Sequence, residues 1–412
     1  MSNLKDRTLY IPEMGYGGAR VLAASFRSLG IDSKVVPPST KETLDLGSKE
    51  TSGDECFPQR VTLGDFLGVL KEKKANECAF FMPIAQGPCR FGQYATHTRH
   101  VLERLGYSDA LVCSITSEDG YNSLAEEGDD SSFERTTWIG VIASDIAQQL
   151  LHLTRPFEKQ KGETDEVYQK SIKEICRVLE VRGIKFGERK KKLIEVLHGV
   201  RDNFRKIEVV KDRSKPLIGV VGEIFCRLNT FSNSDLVRKI ENAGGYCWVS
   251  NVSEWILYTT FDQQRKLRLS GQKLSKPMLF SKIRYHVLRK DEHELTHIFK
   301  EDLKGFENIS DIKELLEYSK PYLPYTGALG EMTINVANSV HFYKKGAAGV
   351  VDISPFSCMN GIISEAVYPK LSEDLGDFPI RLFYFDGLNT NLDRDVGIFL
   401  ELAKSFKRRR NS

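Results

Sequence analysis

The chain has 412 residues, enough for two or three compact units, and its 59 Lys and Arg against 56 Asp and Glu leave a formal charge of +3. That balance argues against a nucleic-acid surface spread over the protein, and no run approaches the roughly 18 apolar residues of a membrane span. Eight cysteines without a CxxC pair make neither a secreted disulfide framework nor a zinc ribbon. Residues 1–10 lack the apolar core of a signal peptide, so a cytoplasmic protein with no membrane and no nucleic-acid partner is expected.

Residues 7–12 (RTLYIP) read as a first strand, GYGGAR as a tight glycine-rich turn, and 21–29 as a helix with Leu22, Phe26 and Leu29 on one face. Residues 32–36 (DSKVV) close a βαβ start. Pro37, Pro38 and Ser39 begin a loop that carries the chain to Cys56, and a helix over 58–73 leads into a buried strand at 79–84 (AFFMPI). GPCRFG then leaves the strand, a helix follows over 94–105, and 110–115 (ALVCSI) is the next strand. Strands alternating with helices predict a mainly parallel, doubly wound sheet.

From about residue 131 the periodicity is helical without strands, over 137–153, 163–182 and 188–205, and the KKK of GERKKKL reads as a solvated helix face. Strands return at 216–222 (PLIGVVG) and 246–250 (YCWVS), with a helix over 234–243 between them. A helical insertion at 253–316 follows, then strands at 349–353 and 380–385 (IRLFYF), and a last helix whose KRRR end reads as a frayed tail. The expected organisation is an α/β lobe over 1–130, a helical segment over 131–213 and a second α/β lobe over 214–412: one architecture used twice.

Three cysteines stand where strands turn into helices. Cys56 precedes Phe57 and Pro58, Cys89 lies between Pro88 and Gly92, and Cys358 follows Pro355 and precedes Gly361. Glycine and proline let backbone bend close to an inorganic core, and strand ends are where open α/β sheets hold their chemistry. Cys78, Cys113, Cys176 and Cys247 lie within or beside strands and helices and are assigned to packing. Cys226, in EIFCRLN, follows a strand without flanking Gly or Pro, and its role stays open. Glu55, Gln59, Arg90, Gln93, Tyr94, Ser357 and Asn360 are neighbours able to donate or accept, or simply to cap a turn. His97 and His100 lie three apart on a helix, with no HExxH spacing beside them.

The stretches LGSKETSGDECFPQ, AFFMPIAQGPCRFGQY, GEIFCRLNTFSN, SPFSCMNGIISEA and YFDGLNTN resemble the 2-hydroxyacyl-CoA dehydratase superfamily. The likeness is to the cluster-binding region of the large proteins related to the dehydratase activator, and it runs from about residue 9 to about residue 402. It implies two flavodoxin-like lobes with parallel sheets and helical insertions, and a 4Fe-4S cubane between them on Cys56, Cys89 and Cys358. It also implies one-electron chemistry fed by a separate ATP-hydrolysing activator, a second dehydratase-like subunit or homodimer, and an acyl-CoA substrate. Dehydration then proceeds through a ketyl radical with no net redox change, on an iron that three thiolates leave open to substrate. Other members of the superfamily reduce small molecules with a double-cubane cluster, for which this chain would need a partner's ligands.

Two departures bear on the function. No glycine-rich loop with a following Lys and Ser or Thr is present, so any ATP-driven electron is borrowed. Cys226 stands where the family is expected to carry an apolar residue, and a fourth thiolate would close the iron. The rival reading is a non-catalytic scaffold or electron-relay subunit beside a second dehydratase-like chain; a structural zinc site would need Cys226 as its fourth ligand.

Overall fold

The computed structural model describes residues 4–85, 87–114, 130–210, 212–309, 311–328, 330–388 and 391–411. The first lobe runs β1 (Thr8–Ile11), α1 (Tyr16–Ser28), β2 (Ser33–Val35), α2 (Lys41–Lys49), α3 (Phe57–Glu72), β3 (Cys78–Phe81), α4 (Tyr94–Arg104) and β4 (Leu111–Cys113). Helices α5 (Asp130–Thr154), α6 (Glu163–Leu179) and α7 (Phe186–Lys206) follow. The second lobe starts with β5 (Leu217–Gly222), α8 (Ile224–Leu228), α9 (Leu236–Asn242) and β6 (Tyr246–Val249). Helices α10 (Val252–Leu269), α11 (Lys276–His297), α12 (Ile312–Glu317) and α13 (Glu331–Lys344) intervene before β7 (Gly349–Pro355), α14 (Met359–Asp374), β8 (Ile380–Phe385) and α15 (Leu392–Asn411).

Each lobe holds a four-stranded sheet, ordered β2-β1-β3-β4 in the first and β6-β5-β7-β8 in the second, and every pairing is parallel. Counted within each lobe the order is the same, 2-1-3-4, as in the opening strands of a flavodoxin-like sheet. The architecture is therefore used twice, as the alternation predicts. β3, β5 and β7 are buried along their whole length, which explains the apolar runs of β3 and β5, while β7 carries the buried Asp352 and Ser354, bonded to each other at 2.8 Å. β3 ends at Phe81 rather than at residue 84 because Pro83 has no N–H to give the ladder.

The helices that the sequence separates pack as one body. Trp138, Ile142, Leu193 and Leu197 from α5 and α7 share an apolar cluster with Leu257, Leu288, Leu295 and Leu315 from α10, α11 and α12. Polar anchors join it to the second lobe. The buried Arg155 guanidinium lies 2.7 Å from Glu241 of α9 and 2.9 Å from Asp165 of α6, and Asp145 of α5 accepts the Val252 and Ser253 amides at 3.2 and 2.8 Å. A carboxylate there satisfies the free N–H groups at the start of α10 and matches its dipole.

Three expectations are corrected. The stretch after Pro37 is not a loop throughout, because residues 41–49 form α2, started by a reciprocal cap between Thr40 and Thr43. Thr at both cap positions hides the usual Ser-x-x-Glu wording. The closing KRRR is not frayed: α15 runs through it, Lys407 donates to the Lys215 carbonyl at 2.8 Å, and Arg410 donates to the Tyr343 carbonyl at 2.9 Å. The KKK face is only partly solvated, since Lys190 turns inward to Asp291 and Glu294 at 3.2 and 2.6 Å while Lys192 stays outside with Glu188. The strand expected over 110–115 is formed at 111–113; Ile115 lies outside the described residues, as do Gln86, Asn389 and Thr390 of the quoted stretches.

α2 crosses α3 at backbone contact, and that crossing holds the Cys56 loop. A Cβ on Gly64 would sit 1.9 Å from the Thr43 carbonyl oxygen, and one on Gly47 would sit 2.0 Å from that of Arg60. Gly64→Ala should therefore cost about 2 to 3 kcal/mol by overpacking, despite the better helix propensity of Ala, and urea unfolding reads this directly. A gain in stability would show that the crossing is not tight.

Inside the helical body, Glu292 is buried with one carboxylate oxygen unpartnered. Burial, then the nearby Glu254, raises its pKa to about 8. A raised carboxyl favours folding below its unfolded value and loses that contribution as pH climbs through its folded value. Glu292→Gln should match wild type near pH 4 and be more stable by on the order of 2 kcal/mol near pH 9. Parallel stability curves across that range would refute the assignment.

Candidate functional site

All three turn cysteines occupy the position just before a helix. Cys56 precedes α3, Cys89 precedes a 3-10 turn at Arg90–Gln93 that runs into α4, and Cys358 precedes α14. Cys89 and Cys358 follow the third strand of their respective lobes, β3 and β7, so the repeated topology puts them at equivalent places. Helix N-termini carry free N–H groups and a positive dipole end, which favours a thiolate. At Cys358 the Asn360 and Gly361 amides pull the thiol down, and at Cys89 the Phe91 amide does the same.

The loops bearing these cysteines are joined by one guanidinium. Arg90 donates to the Asp54 carbonyl beside Cys56, and to the Ser357 carbonyl at 2.9 Å and hydroxyl at 3.1 Å beside Cys358. Ser357 holds a left-handed φ of 62°, an uncommon conformation for a residue with a Cβ, which turns the chain from β7 into α14. The lobes also meet where Arg60 donates to the Asp386 carbonyl at 2.8 Å and Asn229 to the Glu13 carbonyl at 2.7 Å. Leu44, Phe57 and Val61 of the first lobe share an apolar cluster with Phe225, Ile353 and Phe385 of the second. The cluster begins at Phe57, while Cys56 itself packs against the first lobe's core beside Phe66, Phe80 and Tyr94.

Charge in the pocket is one-sided. Cys358 is buried and Cys89 sits exposed at the rim; loss of solvent around each sulfur raises both thiols, and Glu223 and Glu331 push both further up, while Cys56 also acts on Cys89. Glu223 follows Gly222 at the end of β5, where φ is 130° and a Cβ would sit 2.1 Å from the Ile353 carbonyl oxygen. Its carboxylate accepts the Phe225 and Cys226 amides at 3.1 and 2.7 Å. Glu331 opens α13 and accepts the Ile224 amide at 2.7 Å and the Asn360 side chain at 3.4 Å. Burial raises both carboxyls, and Glu223 raises Glu331 further, while the buried Arg227 opposes the shift. Behind them a cavity of about 10 Å³, lined by Arg227, Glu254, Glu331 and Asn335, has room for about one water. Arg227 Nε and Asn335 Nδ2 are buried there without partners.

The other expected donors divide. Tyr94 is buried with its hydroxyl bonded to the Cys56 thiol; burial, then that thiol, raises the phenol well above its ordinary value. Arg90, Ser357 and Asn360 border the pocket as described. Glu55 instead accepts the Ser52 and Gly53 amides at 3.0 and 3.1 Å and closes its own turn. Gln59 turns to His97 at 3.0 Å and Thr98 at 3.3 Å, Gln93 is exposed, and His100 is exposed away from His97's partners.

Cys78, Cys176 and Cys247 are buried and Cys113 half-buried, in strands or helices, as the packing assignment requires. Cys226 is fully buried in the apolar cluster between the lobes, and burial, Glu223 and Cys358 raise its thiol well above the ordinary value. Glu223, Arg227 and Glu331 escaped the sequence analysis: each is an isolated charge in an apolar stretch, and a buried charge is visible only once its neighbours are placed.

Among the described residues, no three His, Cys, Asp or Glu side chains stand close enough to hold a single metal ion. A cubane takes one thiolate per iron and spreads its ligands more widely than one ion does. Three thiols at helix N-termini, two of them raised by neighbouring carboxylates, suit a positively charged inorganic core, which would reverse the upward shifts of Cys89 and Cys358. No family model matches this chain, and no curated protein matches it.

Arg90→Ala should release the Ser357 turn at a cost of about 1 kcal/mol, and the buried Cys358 should then react with a thiol reagent several times faster. Labelling followed by peptide mass spectrometry measures the rate. An unchanged rate would show that Arg90 does not hold the turn.

Proposed function

We propose that this chain is a cytoplasmic iron-sulfur protein of the 2-hydroxyacyl-CoA dehydratase superfamily, with a 4Fe-4S cluster on Cys56, Cys89 and Cys358. A separate ATP-hydrolysing activator would supply low-potential electrons, and a second dehydratase-like chain or another copy would complete the assembly. The observation that supports this reading is that Arg90, beside Cys89, bonds to the loops before Cys56 and Cys358, all three cysteines standing at helix starts and two of them at equivalent places in a repeated fold. The cluster would supply one-electron transfer at low potential, for dehydration of a 2-hydroxyacyl-CoA or reduction of a small substrate.

The chain's own residues have definable parts in such a reaction. Tyr94 holds the Cys56 sulfur and keeps its proton at neutral pH. Burial and Glu223 keep Glu331 protonated to higher pH than an ordinary carboxyl, so it can give a proton to a departing hydroxyl. The first lobe's core behind Cys56 excludes water from one side of the pocket. Cys226 is fully buried in the apolar cluster between the lobes, within the field of Cys358, and the reading with three thiolates and an open iron assigns it to packing.

The experiment is anaerobic purification and reconstitution, followed by assay of iron and acid-labile sulfide and by EPR. Wild type should hold iron and sulfide in equal amounts. Cys89→Ala and Cys358→Ala should lose most of the iron, while Cys226→Ala should keep both the iron and the EPR signal. Folded wild-type protein that takes up no iron would end the proposal. If Cys226→Ala strips the cluster as fully as Cys89→Ala, the iron is closed and the electron-relay reading replaces dehydration.

A further inference from the structure

The hairpin of α10 and α11 ends in a tip unlike the rest of the surface. Leu274, in the turn, is 102 % exposed, Leu269 is 73 % exposed, and Leu279, Phe280 and Ile283 on α11 are 58, 67 and 51 % exposed. On α11, Ile283 lies four residues after Leu279 and three after Phe280, so the three share one outward face, while Met278, Ser281 and Leu288 face inward. From Gln263 to Lys290 the sequence carries nine Lys and Arg and no Asp or Glu, in a chain whose total formal charge is +3. Arg265 and Lys266 pair with Asp262, Arg284 with Glu134 and Arg289 with Asp311. Arg268, Lys273, Lys276 and Lys282 flank the apolar tip and form no ion pair among the described residues.

We propose that this tip docks on an anionic lipid surface, with Leu274, Leu279 and Phe280 entering the headgroup region and the flanking cations meeting lipid phosphates. A contiguous exposed apolar patch marks a contact surface, and its composition separates the candidate occupants. A second copy would bring an equally cationic tip against this one and be repelled. Protein interfaces enrich Trp, Tyr and Arg and deplete Lys, whereas this tip is aliphatic, with Phe280 its one exposed aromatic and three Lys among its four unpaired cations. Aliphatic side chains ringed by lysines are the composition of peripheral membrane contacts. No helix among the described residues is long and apolar enough to cross a membrane, so the contact is peripheral. It is independent of the cysteine pocket.

Co-sedimentation of the full chain with phosphatidylcholine vesicles, with and without phosphatidylglycerol, tests this. Binding should require the anionic lipid and weaken at high salt. Lys273→Glu with Lys276→Glu should weaken it more than about tenfold, and Leu274→Ser with Phe280→Ser should do likewise. All four positions are exposed, and unchanged circular dichroism and melting temperature would show that the variants fold. No binding to anionic vesicles, equal binding to neutral ones, or undiminished binding by the variants would overturn the proposal. So would a dimer in sedimentation velocity that Phe280→Ser dissolves, which would assign the tip to a protein contact instead.

Discussion

Parallel strands deliver their chains to one edge of a sheet, so whatever a parallel lobe does is done by the loops at that edge. In this protein two such edges are fastened together by an apolar cluster in which Leu44 and Phe57 meet Phe225 and Phe385. The pocket depends on that fastening. Cys56 and Cys89 belong to one lobe and Cys358 to the other, and Arg90 can span Asp54 and Ser357 only while the lobes stay docked. Close backbone crossings set the positions more firmly than side chains could. The Gly47 and Gly64 contact fixes the approach to Cys56, and Gly222 lets the chain pass the Ile353 carbonyl before Glu223.

The same docking creates an electrostatic problem. Two carboxyls, the Cys358 thiol and a tyrosine are buried together, with Cys56 half-buried and Cys89 exposed at their rim, and Arg227 is the opposing cation. In the protein alone this is resolved by protons, since burial raises the thiols and carboxyls together. A positive inorganic core would resolve it differently, by drawing the thiolates out and leaving protons on the carboxyls beside them. A group that is costly to bury and unexplained by packing is a reason to look for function. The helical body repeats the pattern on a smaller scale with Asp145, Glu254 and Glu292, each raised by burial.

Much was legible in the sequence because it depends on local rules. Alternating apolar runs and helical periods gave the repeated α/β lobes, and Gly and Pro around Cys56, Cys89 and Cys358 separated them from the cysteines inside strands and helices. α2 was not legible, since its stability comes from lying against α3 at two glycines rather than from its own apolar stripe. The end of α15 was not legible for a related reason: Lys407 and Arg410 bond to carbonyls from distant segments.

By itself, then, the sequence determined which segments are strands and helices and which cysteines stand at turns, because periodicity, proline and glycine act within a few residues. The tertiary structure alone decided that the loops bearing those cysteines meet across the lobes at Arg90, that Glu223 and Glu331 lie beside them, and that Cys226 is buried in the apolar cluster within the field of Cys358. The physical reason is that burial and charge coupling belong to neighbours in space. The carboxyl of Glu331 is raised by burial and then by Glu223, more than a hundred residues earlier, and no local pattern encodes such a pair.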